Sequence, residues 1–179
     1  MDITTYQGLA QKTLKELPPE MHVLHMYMGL VGELGELVDA YKKHYIYGKP
    51  LDVANIREEL GDLFWYAVNL YGGVVKLAPL GRMYDVRLLS ELPHEEACMS
   101  LLNDVEDTLR VVHLIPYVKS MADIIPNLHA LTLRAGLTVE EVLQTNYDKL
   151  AKRYGDKYSD EAAINRNLEQ ERKILEKNL

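Results

Sequence analysis

The sequence predicts an all-α protein, a helical bundle with a four-helix core. Three observations predict it. Apolar residues recur at steps of three and four along most of the chain. No run of alternating β-branched residues marks a strand. Pro18-Pro19, Gly48 with Pro50, Gly72-Gly73 and Gly136 punctuate the periodic runs rather than falling inside alternating ones.

The elements follow in order. A first helix is expected over about 3–16, stopping before Pro18-Pro19, and a second over about 20–46, ending near Gly48 and Pro50. Asp52 has the residue type of an N-cap for a third helix, which runs to Gly72-Gly73. The short connection around 47–51 makes these two helices antiparallel neighbours. Residues 74–92 carry no periodic signal and are read as irregular. A helix is expected from Pro93 to about His113; Pro116 begins or breaks the next, and Pro126 should kink its surroundings. Gly136 ends that helix, and "TVEE" (Thr138 to Glu141) has the form of a capping box for the helix carrying "NYDKLAKRY". Ser159 is the expected cap of a last, charged helix over about 159–178. The chain therefore reads as one domain, 1–179, with its core in about 3–73 and 93–158 and extra helices inserted before the C-terminal element.

Bulk properties bound the function. With 179 residues, 47% of them apolar, the chain has enough material to fold around a core of its own. The net charge of −7 and the lack of a dense Lys/Arg patch argue against a nucleic-acid binder held by phosphate contacts. Cys98 is the only cysteine, which excludes an intrachain disulfide and a Cys-based zinc cluster. The N-terminus lacks a basic start and apolar run, and no segment reaches 18 uninterrupted apolar residues, so the expectation is a cytoplasmic protein with no membrane partner.

The informative feature is acidic. In "GLVGELGELVDAYKKH" the row Gly29, Glu33, Glu36, Ala40 shares one helix face, and in "NIREELGDLFWYAVNL" the row Asn55, Glu59, Asp62, Tyr66 does the same. Each helix thus offers two carboxylates one turn apart, and facing helices bring four together. Two unit charges about 4 Å apart repel by roughly 4 kcal/mol at an effective dielectric of 20, so the carboxylates must take up protons or bind cations. Oxygen ligands without histidine or cysteine suit Mg²⁺, with Mn²⁺ as a substitute. Gly29, Gly32, Gly35 and Gly61 each cost roughly 1 kcal/mol in a helix; close helix approach is the expected compensation, and the alternative is that they merely weaken the helix ends. A single E-x-x-E pair is ordinarily a solvated stripe; two facing pairs in apolar flanks are not. Asn146, Lys149 and Arg153 form a basic row on a later helix, read as phosphate ligands or, alternatively, as a solvated face.

"GELGELVDAYKKH" followed by "EELGDLFWYAVNL" resembles the MazG-like branch of the all-α nucleoside triphosphate pyrophosphohydrolases. The family pattern is E-x-x-E, a spacer, then E-x-x-D; here it is Glu33-x-x-Glu36, 22 residues, and Glu59-x-x-Asp62. "NYDKLAKRY" resembles the family's later N-x-x-K-L-x-x-R-Y element, and "YSDEAAINRNLEQER" is similar to the tail of many members. The resemblance covers about 20–72 and 138–172. It implies Mg²⁺-dependent hydrolysis of a nucleoside triphosphate to the monophosphate and pyrophosphate. Glu33, Glu36, Glu59 and Asp62 become metal ligands, and Asn146, Lys149, Arg153 and Tyr154 become substrate contacts. Glu36 as proton acceptor and Lys149 as phosphate neutraliser become catalytic. It also implies a homodimer or homotetramer.

Other residues carry less. Trp65 and Tyr66 read as core or subunit interface, with base stacking as the alternative. Tyr6 and Gln7 are minor candidates for the nucleoside, and His22 and His25 lie near the acidic helix without ligand spacing. "HEEAC" from His94 reads as a helix start, and Arg166 as surface charge, with a phosphate contact across a subunit boundary as the alternative. A di-iron bundle would need Glu-x-x-His pairs on its helices, and the single match, Glu91 to His94, contains Pro93. The remaining rival is a non-catalytic acidic helical module that binds a nucleotide or a protein partner.

Overall fold

A computed structural model describes residues 1–70, 88–114, 124–155, 157–177 and 179, with side chains omitted at 111–114. Among the described residues there are helices and no strands, as expected. α1 spans Ile3–Ala10, α2 Pro19–Tyr45, α3 Val53–Leu70, α4 His94–Leu114, α5 Ile124–Arg134, α6 Val139–Tyr154, α7 Asp160–Ile164 and α8 Leu168–Leu175.

Local chemistry sets the ends. Asp2 caps α1 by accepting from the amides of Thr4 and Thr5 at 3.1 and 3.0 Å. α1 is shorter than expected. It passes into a 3₁₀ turn over Gln11–Thr13, where the Thr13 hydroxyl donates to the Ala10 carbonyl and the Trp65 indole N–H donates to Thr13. Pro19 takes the first position of α2, where a missing N–H costs nothing. The Asp52 carboxylate accepts from the Asn55 amide at 3.1 Å, as an N-cap should. Pro126 lies within α5 as described, and the residues on either side of it are helical. α5 ends in a Schellman turn, with Gly136 at φ 75° and bonds from Leu137 N to Thr132 O and from Gly136 N to Leu133 O. The Thr138–Glu141 capping box opens α6. The expected C-terminal helix is two helices. Asn165 leaves helical geometry and the Asn167 side chain caps α8 through the Gln170 amide, so "NRN" breaks the run. The Gly72-Gly73 stop, most of the irregular 74–92 stretch and Pro116 lie outside the described residues; within them Leu89–Glu91 is a 3₁₀ turn.

α3 is the hub, packed against α1, α2, α5, α6 and α8, while α4 covers α2 and α5. Leu60, Leu63, Phe64, Ala67 and Val68 of α3 are fully buried, with Leu30 and Leu34 of α2, Leu128 of α5 and Val142 and Leu143 of α6 around them. Each large apolar side chain buried there contributes roughly 1.5–3 kcal/mol. α2 and α3 run antiparallel: His22 meets Asn69, Gly29 meets Tyr66, and Glu33 meets Asp62. Two of the four helix glycines serve the close approach. A Cβ on Gly29 would fall inside the Tyr66 ring, and one on Gly61 would lie 2.8 Å from the Asn146 side chain. Gly32 and Gly35 face open space, so the expected packing role does not extend to them.

Candidate functional site

The α2–α3 crossing carries the acidic constellation. One carboxylate oxygen from each of Glu33, Glu59 and Asp62 lies within 4.8 Å of the others. Glu36 is not in that group. It is exposed, one turn along α2, near enough for its charge to act on Glu33 and Glu59. Glu59 is buried at 5% exposure, and the Asn55 amide donates to it at 3.0 Å.

Electrostatics follow from this crowding. Burial first, then the Asp62 charge, raises the Glu33 carboxyl above the usual carboxylate range. Burial also raises Glu59, helped by a hydrogen bond to Glu33 that keeps a proton on Glu59 and by the Glu33 charge. The two titrate as a coupled pair.

α6 approaches α3 from the other side and fixes Asp62. Asn146 Nδ2 donates to Asp62 Oδ1 at 2.7 Å, and Lys149 Nζ donates to Asp62 Oδ2 at 2.6 Å. Tyr6, buried on α1, donates to Asn146 Oδ1 at 2.6 Å, which sets the orientation of that amide. Lys149 also donates to Glu58 at 3.1 Å, and its side chain is fully buried. Burial alone would lower its pKa; Asp62 and Glu58 outweigh burial and raise it. Asn146 and Lys149 were expected as substrate contacts. In the structure both donate to Asp62, one to each carboxylate oxygen. Glu58 was missed by sequence reasoning. It sits four residues before Asp62, on the face turned to α6, and the signal was that a buried Lys149 needs a second acceptor.

Beside the cluster lies a cleft of about 260 Å³, lined among others by Glu33, Asp62, Trp65, Tyr66, Arg153 and Tyr154. Trp65 and Tyr66 are half-buried, packed on the core with one side toward this cleft. Tyr154 stands against Tyr158, ring centroids 5.2 Å apart. His25 lines the cleft too, edge-on to Tyr66, with no partner for its buried Nδ1. Tyr6 faces Asn146 instead, and Gln7 donates to the Val68 carbonyl. His94 is the first residue of α4, as the helix-start reading required. No helix among the described residues is long and apolar enough to cross a membrane.

A bundle that gathers carboxylates from two antiparallel helices at the mouth of a cleft defines a class, the all-α proteins with an oxygen-donor acidic site. Comparison with known families narrows it. Residues 22–72 match the family model of the MazG nucleotide pyrophosphohydrolase domain, and this match spans α2, its loop and α3 with all four E-x-x-E and E-x-x-D residues. Over that acidic helix pair the chain is similar to the MazG family. No curated protein and no solved structure matches the chain.

Proposed function

We propose that the protein hydrolyses a nucleoside triphosphate, a deoxynucleotide or a non-standard nucleotide, to the monophosphate and pyrophosphate in a Mg²⁺-dependent reaction that Mn²⁺ also supports. The observation that carries this reading is the convergence of Glu33, Glu59 and Asp62 beside a cleft that also holds Arg153 and Tyr154. The donor set fits a hard divalent cation. It is all oxygen, and burial holds protons on carboxyls that a cation would displace. Glu33, Glu59 and Asp62 would hold the ion, with Glu36 joining from the rim. Bound there, the cation would offset charge on the phosphoryl oxygens and lower the pKa of a water for attack at the α-phosphorus.

The chain's own residues do the rest. Asn146 and Lys149 aim Asp62, so that Lys149 contributes by position and charge from behind the site rather than by touching phosphate. Glu36 is exposed and free to accept a proton at its carboxylate oxygen. Arg153 and Tyr154 on the cleft wall are the substrate contacts. Exposed Met21, Leu24, Met28 and Val31 form one stripe along α2, which supports assembly as a homodimer or homotetramer.

The test is pyrophosphate release from a panel of nucleoside triphosphates with Mg²⁺, for the wild type and Glu59→Gln. Turnover that Glu59→Gln lowers by at least a hundredfold is the expected result. Equal turnover in both removes the proposal. Nucleotide binding without pyrophosphate release replaces it with the non-catalytic binding module.

A further inference from the structure

Outside the acidic cluster, the most elaborate polar arrangement in the described chain is at its C-terminal end. Glu171 of α8 is buried, its side chain 5% exposed, and accepts from two guanidinium groups. Arg153 of α6 donates to it twice, Nε to Oε1 at 2.8 Å and an Nη to Oε2 at 2.7 Å. Arg166, from the turn between α7 and α8, donates to Oε2 at 2.9 and 3.3 Å and stands 3.5 Å from Glu58. Both arginines line the cleft that Glu33 and Asp62 line; Glu171 does not. One buried carboxylate thus stands behind two cations that face the cleft.

Two guanidiniums at one wall repel each other, and long side chains of this kind are rotationally free unless held. Glu171 removes both difficulties. Its four accepted N–H bonds consume one edge of each guanidinium and leave other donors toward the cleft. Arg153 is further set by the Tyr154 ring, 5.6 Å from its guanidinium carbon. The packing is also specific to α8: Arg57 of α3 donates to the Leu175 and Lys177 carbonyls at its C-terminal end, and Arg172 forks onto Asp52, the cap of α3. α8 is therefore clamped to α3 independently of the two cleft arginines, which frees Glu171 to act on them.

We infer that Glu171 is a positioning residue that aims Arg153 and Arg166 as a polyphosphate-binding wall opposite the carboxylates, so that the last two helices form part of the nucleotide site. The assignment rests on the proposed function for its place in a reaction, but the wall itself is testable without turnover. Inorganic tripolyphosphate is the probe, titrated calorimetrically against the full chain in Mg²⁺ buffer.

The expected results are binding by the wild type, about tenfold weaker binding in Arg166→Met, and a similar loss in Glu171→Gln with little further loss in the double variant. The sign for Glu171→Gln is decisive. A carboxylate that only neutralises the arginines would, on removal, leave a more positive wall and tighter tripolyphosphate binding. Tighter or unchanged binding overturns the inference, as does a wild type that ignores the probe. Arg166 is more than a third exposed, so Arg166→Met reads the wall even where Glu171→Gln disturbs packing. Where the wild type turns over, KM rises in both variants while kcat holds; a fold defect lowers the apparent kcat and leaves KM unchanged. A protein that binds tripolyphosphate through these residues yet releases no pyrophosphate keeps the wall and loses the proposed reaction.

Discussion

Lys149→Met gives the sharpest test of how the acidic site is held. Methionine nearly matches the length and volume of the lysine stem, so the change deletes the ammonium while filling the space. In the folded protein that ammonium lies 2.6 Å from Asp62 and 3.1 Å from Glu58, and the lysine side chain has no exposure. Removing one partner of a buried ion pair costs about 3–5 kcal/mol, because the other charge is left without compensation. Here the abandoned carboxylates are 22% and 21% exposed. Water reaches both in part, which places the expected loss at the low end, about 3 kcal/mol. With a urea m-value of about 2 kcal/mol/M, the midpoint falls by about 1.5 M. The assay is urea unfolding by circular dichroism in EDTA, repeated with 10-fold steps of Mg²⁺. A divalent ion at the proposed site would supply positive charge beside Asp62, so Mg²⁺ is expected to recover part of the loss. A midpoint shift under about 0.5 M refutes the view that Lys149 compensates the carboxylates, and a loss that Mg²⁺ leaves untouched refutes the proposed cation site.

Other perturbations follow from the same geometry. Glu33 and Glu59 hold protons in the folded state that the unfolded chain releases above about 4.5, so the metal-free protein loses stability as pH rises from there through the raised values. His25 and His129, lowered by burial, act with the opposite sign; the comparison of wild type with Glu59→Gln in EDTA isolates the acidic contribution, and equal pH slopes of Tm refute it. Gly29→Ala drives a methyl into the Tyr66 ring and costs about 1–3 kcal/mol. Gly35→Ala enters open space and gains up to about 1 kcal/mol. Thermal melts that rank the two glycine variants the other way would contradict the packing described.

Periodicity made the bundle legible because each long helix buries one face. The α2–α3 pairing followed from loop length, and Glu33, Glu59 and Asp62 meet as their spacing implied. What spacing does not encode is depth. Asn146, Lys149 and Arg153 do share a row on α6, but that row packs against α3, so the first two end hydrogen-bonded to Asp62. Glu36 keeps the helix row yet falls beyond the crossing point, one turn toward solvent. Glu58 was hidden because the acidic reading used only the face of α3 turned to α2, whereas Asp62 sits where both faces meet. The split between α7 and α8 was signalled by Asn165 and Asn167, whose side chains compete with helical bonding. Arg166 read as surface charge because its acceptor, Glu171, is in sequence reach but becomes buried only when α8 docks.

The position of Asp62 also links cation binding to packing. It belongs to the carboxylate triad and accepts from two side chains of α6, one of them held by Tyr6 of α1. An ion held by Asp62 would be tied through those bonds to α6 and α1, so its stabilisation would extend past α2 and α3. A ligand at a hundredfold excess over its Kd stabilises the folded state by about 2.7 kcal/mol. Amide hydrogen exchange resolves where that free energy falls. Saturating Mg²⁺ is expected to slow exchange in α6 and α1 as well as in α2 and α3, and Asn146→Ala to cut the slowing in α1 while sparing α2. Slowing confined to α2 and α3 would mean that the ion grips only the two acidic helices and that Asp62 does not couple the site to the bundle.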